Sequence, residues 1–355
     1  MSDVFRELLK KVGSGVHTGK DLSRQEAARA TEMMLSQEAT PAQIGAFSIA
    51  HRIKRPTSEE VAGMLDAYDR LGPKLQPIHQ GPVTVLGTPY DGRSRTAPVT
   101  PITALLLVAS GAPVVMHGGD CMPTKYGIPL IELWQGLGID FSQFTLAQAQ
   151  KFFEKTGLGF IYLPQHFPQA HQLVPYRDQI GKRPPLATAE LIWSPYAGEA
   201  QIVAGYVHPP TEERFRTTLA LRGNTQFTLV KGLEGSCDLP CDRTAIIAIS
   251  DPHAEEGYER LLLHPRDYGF AAKEVPLNSP PELIAQMQGV VKGEASALTS
   301  AAIWNGGFYL WRCGICADLP SGFAEAEALL TKGQIAEKLK QMSNAIASVQ
   351  FAQRS

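Results

Sequence analysis

The densest run of chemistry-bearing residues is the stretch at 85–100, VLGTPYDGRSRTAPVT. An apolar run at 83–86 leads into Gly87 and a turn, and helix-like residues resume near Val99. That is where backbone N–H groups ordinarily cradle a phosphate. Here, however, Pro89 supplies no N–H and Tyr90 adds bulk where close approach favours glycine, while Arg93 and Arg95 bring two guanidinium groups into the turn. The chemistry suggested is anion binding by side-chain cations. The plainer reading of an R-x-R in an exposed turn is a pair of solvated arginines.

Other residues invite the same double reading. His117 is an anion contact or a hydrogen-bonded core histidine at a strand end. Lys182 and Arg183 in GKRPP are a basic turn facing a ligand or a proline-stiffened surface turn. Cys237-x3-Cys241 and Cys313-x2-Cys316 have thiolates enough for a tetrahedral zinc site, but no other ligand cluster flanks either pair and small core cysteines explain them as well. The aromatic run IWNGGFYLW reads first as the buried face of a helix and only second as a base-stacking surface.

The elements that must position these residues are marked in the sequence. Four helices are predicted before residue 72: one to about Val12, one opened by Ser23, one by Thr40 and Pro41, and one by Thr57. Ser23-x-x-Glu26 and Thr57-x-x-Glu60 have capping-box spacing, and proline after Thr40 suits a first helical turn. From Val83 the pattern changes. Apolar strand candidates at 83–86, 113–116, 160–163, 201–207, 227–230 and 244–249 alternate with helical runs such as PITALLLVAS, LAQAQKFFEK, TEERFRTTLAL and PPELIAQMQGVV, which predicts an α/β fold with helices covering a sheet. YDRLGPKLQPIHQGP, rich in Pro and Gly, is the predicted hinge. The expected division is a small helical domain at 1–72, joined by further helices from the rest of the chain, and a large α/β domain at 73–355.

Bulk properties narrow the function classes. With 33 basic and 35 acidic residues the formal net charge is −2, so no global field draws nucleic acid or acidic lipid and any basic surface is local. No apolar stretch reaches the roughly 18 residues a membrane span requires, and no secretory signal opens the chain. Five scattered cysteines are an odd count, consistent with a reducing compartment. A cytoplasmic protein without membrane contact is the expectation.

LLKKVGSGVHTGKDLSRQEAARATEMMLSQEATPAQIGAFSIAHRIKRPTSEEVAGM, GTPYDG, APVVMHGGD, VPYRDQIGKRP, LVKGLEGSCD and IWNGGFYLW follow in the order and spacing of the anthranilate phosphoribosyltransferase family, which the chain resembles over nearly its whole length. The resemblance implies the nucleoside phosphorylase and phosphoribosyltransferase fold: a small helical domain, a large domain with a central mixed, mostly parallel sheet, and a cleft between them. It also implies a homodimer through the N-terminal helices.

Residue by residue the resemblance is broken at the phosphate and metal motifs. In the family's Gly-Thr-Gly-Gly-Asp-Gly loop, Gly87, Thr88, Asp91 and Gly92 match while Pro89 and Tyr90 do not. Asn-Ile-Ser-Thr has become Ala97, Pro98, Val99 and Thr100, which leaves one hydroxyl. Lys-His-Gly-Asn-Arg has become Met116, His117, Gly118, Gly119 and Asp120, placing a carboxylate where a cation stood. The magnesium-binding Asp-Glu pair falls on Cys237 and Asp238, so Asp238 is the one inherited metal ligand, with Glu234 and Asp242 near enough to build a new site. Arg177 matches the arginine that contacts the aromatic acceptor and Asn305 a late asparagine of the acceptor site; Lys125 also remains.

Two functions follow. One is a divergent paralogue whose cleft, lined by Arg93, Arg95, Lys125, Arg177, Lys182 and Arg183, binds phosphate-rich ligands or single-stranded nucleic acid, as a branch of the family with altered motifs does, with no cofactor. The other is a magnesium-dependent transferase moving phosphoribosyl from phosphoribosyl pyrophosphate to anthranilate or a related acceptor. Loss of one preorganised donor costs about a hundred- to a thousandfold in rate, and several are changed here, which favours the first.

Overall fold

The computed structural model describes residues 3–15, 17–78 and 81–351. Four helices come first: α1 (Asp3–Gly13), α2 (Arg24–Leu35), α3 (Pro41–Lys54) and α4 (Ser58–Leu71). Their starts are chemical. Ser23, Thr40 and Thr57 each accept a hydrogen bond from the backbone three residues on, and Glu26, Gln43 and Glu60 return it to the cap backbone, satisfying donors that a helix start leaves open. The helices bury their apolar stripes mutually, α2 against α4 and α1 against α3.

The rest of the chain builds a sheet and its covers. In order these are β1 (Val83–Gly87), α5 (Thr100–Ala109), β2 (Val114–Gly118), α6 (Leu130–Gly136), α7 (Leu146–Thr156), β3 (Leu158–Tyr162), and the short helices α8 (Leu163–His166) and α9 (Pro168–His171). Then come α10 (Val174–Ile180), α11 (Leu186–Ala189), β4 (Ala200–Gly205), α12 (Pro209–Leu221), β5 (Phe227–Val230), β6 (Ala245–Ser250) and β7 (Tyr258–Leu263). Four helices close the chain: α13 (Pro280–Val291), α14 (Thr299–Arg312), α15 (Leu319–Thr331) and α16 (Gln334–Phe351). The sheet order is β3-β2-β1-β4-β5-β6-β7, parallel through β5 and antiparallel at β6 and β7.

Both faces of the parallel strands are covered, so β1, β2 and β3 are buried along their whole length. Helix α5 is apolar on nearly every side because it lies in the interior, between the sheet and α14. Gly306 on α14 permits that approach: a Cβ there would lie 2.2 Å from Leu106 Cδ1. α10 packs on α3, and α11 and α12 on α4. The predicted hinge is pinned rather than loose. Leu75 N donates to Pro195 O at 2.9 Å and Ala197 N to Leu75 O at 2.9 Å; His79 and Gln80 lie outside the described residues.

The strand order reverses between β1 and β4, and in open α/β sheets the crevice at the carboxyl ends of such strands is where ligands bind. Gly87 ends β1 and Gly205 ends β4. Both ends are already covered by the chain: a Cβ at Gly87 would lie 2.0 Å from Leu191 O, and one at Gly205 would lie 1.9 Å from Ser236 O.

Candidate functional site

The crevice is walled by the loop from Gly87 to Thr100, the 119–129 loop after β2, the segment from α10 to Ile192, and the 232–241 loop after β5. Three clusters of charge meet there. In each, groups that sequence reasoning offered to a ligand hold one another.

The first cluster is centred on Asp238. Its carboxylate accepts from Val99 N at 3.0 Å, Thr100 Oγ1 at 2.7 Å and Arg93 Nη1. Arg93 was expected in an exposed turn; it is 3% exposed, and its other terminal nitrogen donates to Thr96 Oγ1. The expectation fails because a guanidinium that neutralises a buried carboxylate and fills its hydrogen bonds belongs inside. The same pair corrects Asp238 and Thr100, whose oxygens are engaged in this network. Cys237 alongside is a buried thiol, pushed up by desolvation and by the neighbouring carboxylate of Asp238. Magnesium, which takes hard oxygens, has no vacant set here. Among the described residues no three His, Cys, Asp or Glu are grouped to hold any metal. The Asn305 side chain accepts from Leu239 N at 2.7 Å and donates to Ala301 O at 2.9 Å, clamping the 237–241 loop to α14.

The second cluster is an anion nest with a resident. Glu234 accepts from Arg95 N and Thr96 N at 3.0 Å each, Ser94 N at 3.2 Å and Thr96 Oγ1 at 3.0 Å. Arg95 Nε lies 3.7 Å and Lys125 Nζ 3.6 Å from the same carboxylate. Burial pushes the Glu234 carboxyl up, but the backbone donors of Arg95, Thr96 and Ser94 outweigh it and hold its pKa at about 2. Glu234 was read as a possible metal ligand; its oxygens face N–H groups instead.

The third cluster lies where an aromatic acceptor was expected. Arg177 is 4% exposed and donates to Glu190 and, at 3.0 Å, to Met122 Sδ. Burial disfavours its charge, and Glu190 restores it. Glu190 also accepts from the Tyr68 hydroxyl of α4 at 3.2 Å. Beside Arg177 remains a cavity of about 10 Å³, lined in part by Tyr90, Met122 and Glu190. That is room for about one water, not for an aromatic acid.

Tyr90 forms part of that cavity's wall. Its side chain turns inward, 5% exposed, the hydroxyl 2.6 Å from His117 Nδ1. The His117 ring meets Tyr90 and Trp193 edge-on, and complete burial lowers its pKa to about 3. His117 is a neutral core histidine, which corrects its reading as a phosphate contact. Gly118 beside it ends β2 in the interior, Thr88 is buried, and Gly92 makes the turn at φ +70° that closes on Pro89 O. Asp91 is buried under Arg183, whose Nε donates to it at 2.6 Å. Arg52 Nη1 on α3 donates to Arg183 O at 2.7 Å and ties the first four helices to the cleft mouth.

What stays open to solvent is a rim. The Arg95 side chain is 78% exposed; Lys125 and Arg183 are half-buried and near each other; Lys182 is exposed and makes no ion pair among the described residues. Tyr126, which sequence reasoning missed, stands 57% exposed next to Lys125. Glu190 was missed too, because nothing in TAELIW distinguishes it from a surface helix residue.

Comparison with known proteins fits this architecture. Residues 6–72 match a glycosyl transferase family model described as a helical bundle domain, and residues 82–336 one described as its a/b domain. An anthranilate phosphoribosyltransferase of Rhodopseudomonas palustris (strain BisB18) is 28% identical over 349 residues, covering 97% of this chain and 99% of its own. One from Acetivibrio thermocellus is 27% identical, covering 94% and 95%. The crystal structure of the anthranilate phosphoribosyltransferase from Thermus thermophilus superposes with a TM-score of 0.78 at 19% identity, covering 98% of this chain and all of that one. The Saccharomyces cerevisiae enzyme in complex with PRPP and Mg gives 0.79 at 16% identity over 97% and 98%. A helical bundle followed by an α/β domain with a mixed seven-stranded sheet thus agrees with both family models, and the chain belongs to the glycosyl transferase family whose curated relatives include the anthranilate phosphoribosyltransferases.

Proposed function

We propose that this chain is a family member whose transferase crevice is filled by its own side chains, and whose cationic rim holds the phosphate backbone of single-stranded nucleic acid. The observation that carries the first half is the set of internal pairs, Arg93 with Asp238, Glu234 with the 94–96 backbone, and Arg177 with Glu190. Each settles a charge that a metal, a diphosphate or an aromatic carboxylate would otherwise settle. The second half is supported by the rim: Arg95, Lys125, Lys182 and Arg183 gather at the mouth of a protein of net charge −2, with Tyr126 as a face on which a base stacks.

A fluorescence-polarisation titration with a labelled oligonucleotide at several salt concentrations tests it. Binding falls steeply with salt, and Arg95→Ala with Lys182→Ala lowers the slope by up to about two units. No binding at low salt would end the nucleic-acid reading. We infer in addition a homodimer through α1 and α3, supported by Val4 and Ile53, which stand 57% and 68% exposed on these two adjoining helices. Light scattering at micromolar concentration checks it, and a monomer would contradict it.

A further inference from the structure

At the end of the sheet opposite the crevice the chain encloses a second, larger cavity of about 420 Å³. Ala200 and Ile202, where β4 begins, form part of its wall; the crevice lies past Gly205, five residues on and so about 17 Å away along the strand. Helix α4 contributes Asp69, the segment after it Lys74, the 192–198 segment Trp193 and Ser194, and the end of α12 Arg222. The cavity thus sits where the two hinge segments, bonded to each other through Leu75 and Ala197, cross between the helical bundle and the sheet. Small-molecule pockets of roughly 300–1,000 Å³ favour such positions between domains.

The groups left open in this wall are donors. Trp193 is 1% exposed, and its Nε1, like Ser194 Oγ, is buried with no hydrogen-bond partner among the described residues. An indole N–H can only donate, and burying it unpaired is costly. Lys74 Nζ donates to Asp69 Oδ1 at 2.6 Å and to Ser194 O at 2.7 Å, which leaves its third proton. Both Asp69 oxygens are engaged, one by Lys74 and the other by Arg222. The charges lining the cavity are therefore Lys74 and Arg222 against Asp69, one positive in excess. Behind them Asp66 is shared by Arg222 and Arg24, and Arg24 also faces Glu59. Glu59 and the nearby Glu199 are exposed, where salt and water screen them. Leu65, Ile192 and Ile202 supply an apolar wall. A monoanion with acceptor oxygens on an apolar body matches this lining.

We propose that the hinge cavity binds a small organic monocarboxylate, its carboxylate on Trp193 Nε1, Ser194 Oγ and Lys74 and its body against the apolar wall. The site is separate from the crevice and its rim and does not depend on the reading of either. The Trp193 ring meets Tyr68 of α4 and His117 of β2 edge-on, so an occupant bears on the bundle and the sheet together. No bond is made or broken on binding.

The four tryptophans give four indole N–H signals in a nitrogen–proton correlation spectrum, and Trp193→Phe identifies the one that belongs to Trp193. Benzoate and hexanoate are the probes. At least one of them moves the Trp193 signal, saturating with a Kd of about 1 mM or below. Benzamide, uncharged and of similar shape to benzoate, binds at least about tenfold more weakly, and sulfate at equal ionic strength does not displace the carboxylate. Ala197→Phe, at an exposed position on the cavity wall, fills the cavity and abolishes the shift, which keeps the test decisive should Trp193→Phe fail to fold. Probes that move no indole signal, or only signals that survive in Trp193→Phe, overturn the proposal. So does a shift that persists in Ala197→Phe, or benzamide binding as tightly as benzoate.

Discussion

Replacing Arg93 by alanine is the perturbation that separates a buried ion pair from a solvated loop arginine. Arg93 is 3% exposed and Asp238 1%, and the substitution leaves Asp238 in the interior with only Val99 N and Thr100 Oγ1 as donors. Breaking one side of a buried pair costs about 3–5 kcal/mol, a large share of the roughly 5–15 kcal/mol that holds a native domain. For a chain of 355 residues the unfolding entropy is about 0.7 kcal/mol/K, so the melting midpoint falls by about 4–7 °C. Arg95→Ala, at a side chain 78% exposed, costs no more than about 0.5 kcal/mol. Differential scanning calorimetry of both variants and of Arg93→Ala with Asp238→Asn decides the matter. The double variant removes the orphaned charge and recovers about half the loss. Equal midpoints for Arg93→Ala and Arg95→Ala would refute the reasoning.

The remaining predictions use the same measurements. Glu190→Gln strips the partner from a guanidinium 4% exposed and lowers stability by about 3 kcal/mol; a midpoint equal to wild type would show the Arg177 charge to be solvated. Asn305→Ala leaves Leu239 N without its acceptor and costs about 1–3 kcal/mol, while oligonucleotide affinity stays within about twofold; a larger change in affinity would return Asn305 to a binding role. Glu234 and Glu60 are both held from 4.5 down to about 2, so across that window the unfolded chain binds more protons. Their stabilisation is complete above pH 4.5 and is lost as pH falls toward 2, on the order of 3 kcal/mol each. Glu234→Gln removes one share and flattens the acid limb of a stability–pH curve, and an unchanged slope would contradict the assignment.

Local chemistry was legible in the sequence and long-range pairing was not. Capping at Ser23, Thr40 and Thr57 depends on residues three apart, so those helix starts are visible in a line of letters. Six strands were visible as apolar runs because a covered parallel sheet demands them. β7 was missed: it is an edge strand paired only with β6, and its sequence YERLLL shows water three exposed residues, Leu262 among them. At the site, the residue types of the loop were legible, but the direction of their side chains was not. Arg93 and Asp238 stand 145 positions apart, and no local pattern says that this arginine turns inward to that carboxylate.

The most direct measurement is a steady-state assay following loss of anthranilate fluorescence in the presence of phosphoribosyl pyrophosphate and magnesium. With the cavity beside Arg177 only about 10 Å³ and Asp238 held by Arg93, the expected turnover is at least about a thousandfold below that of the Thermus thermophilus enzyme assayed alongside, with no dependence on magnesium. Magnesium-dependent turnover at a comparable rate would mean that the internal pairs open readily to admit both substrates, and would contradict the claim that the crevice is occupied by the protein itself.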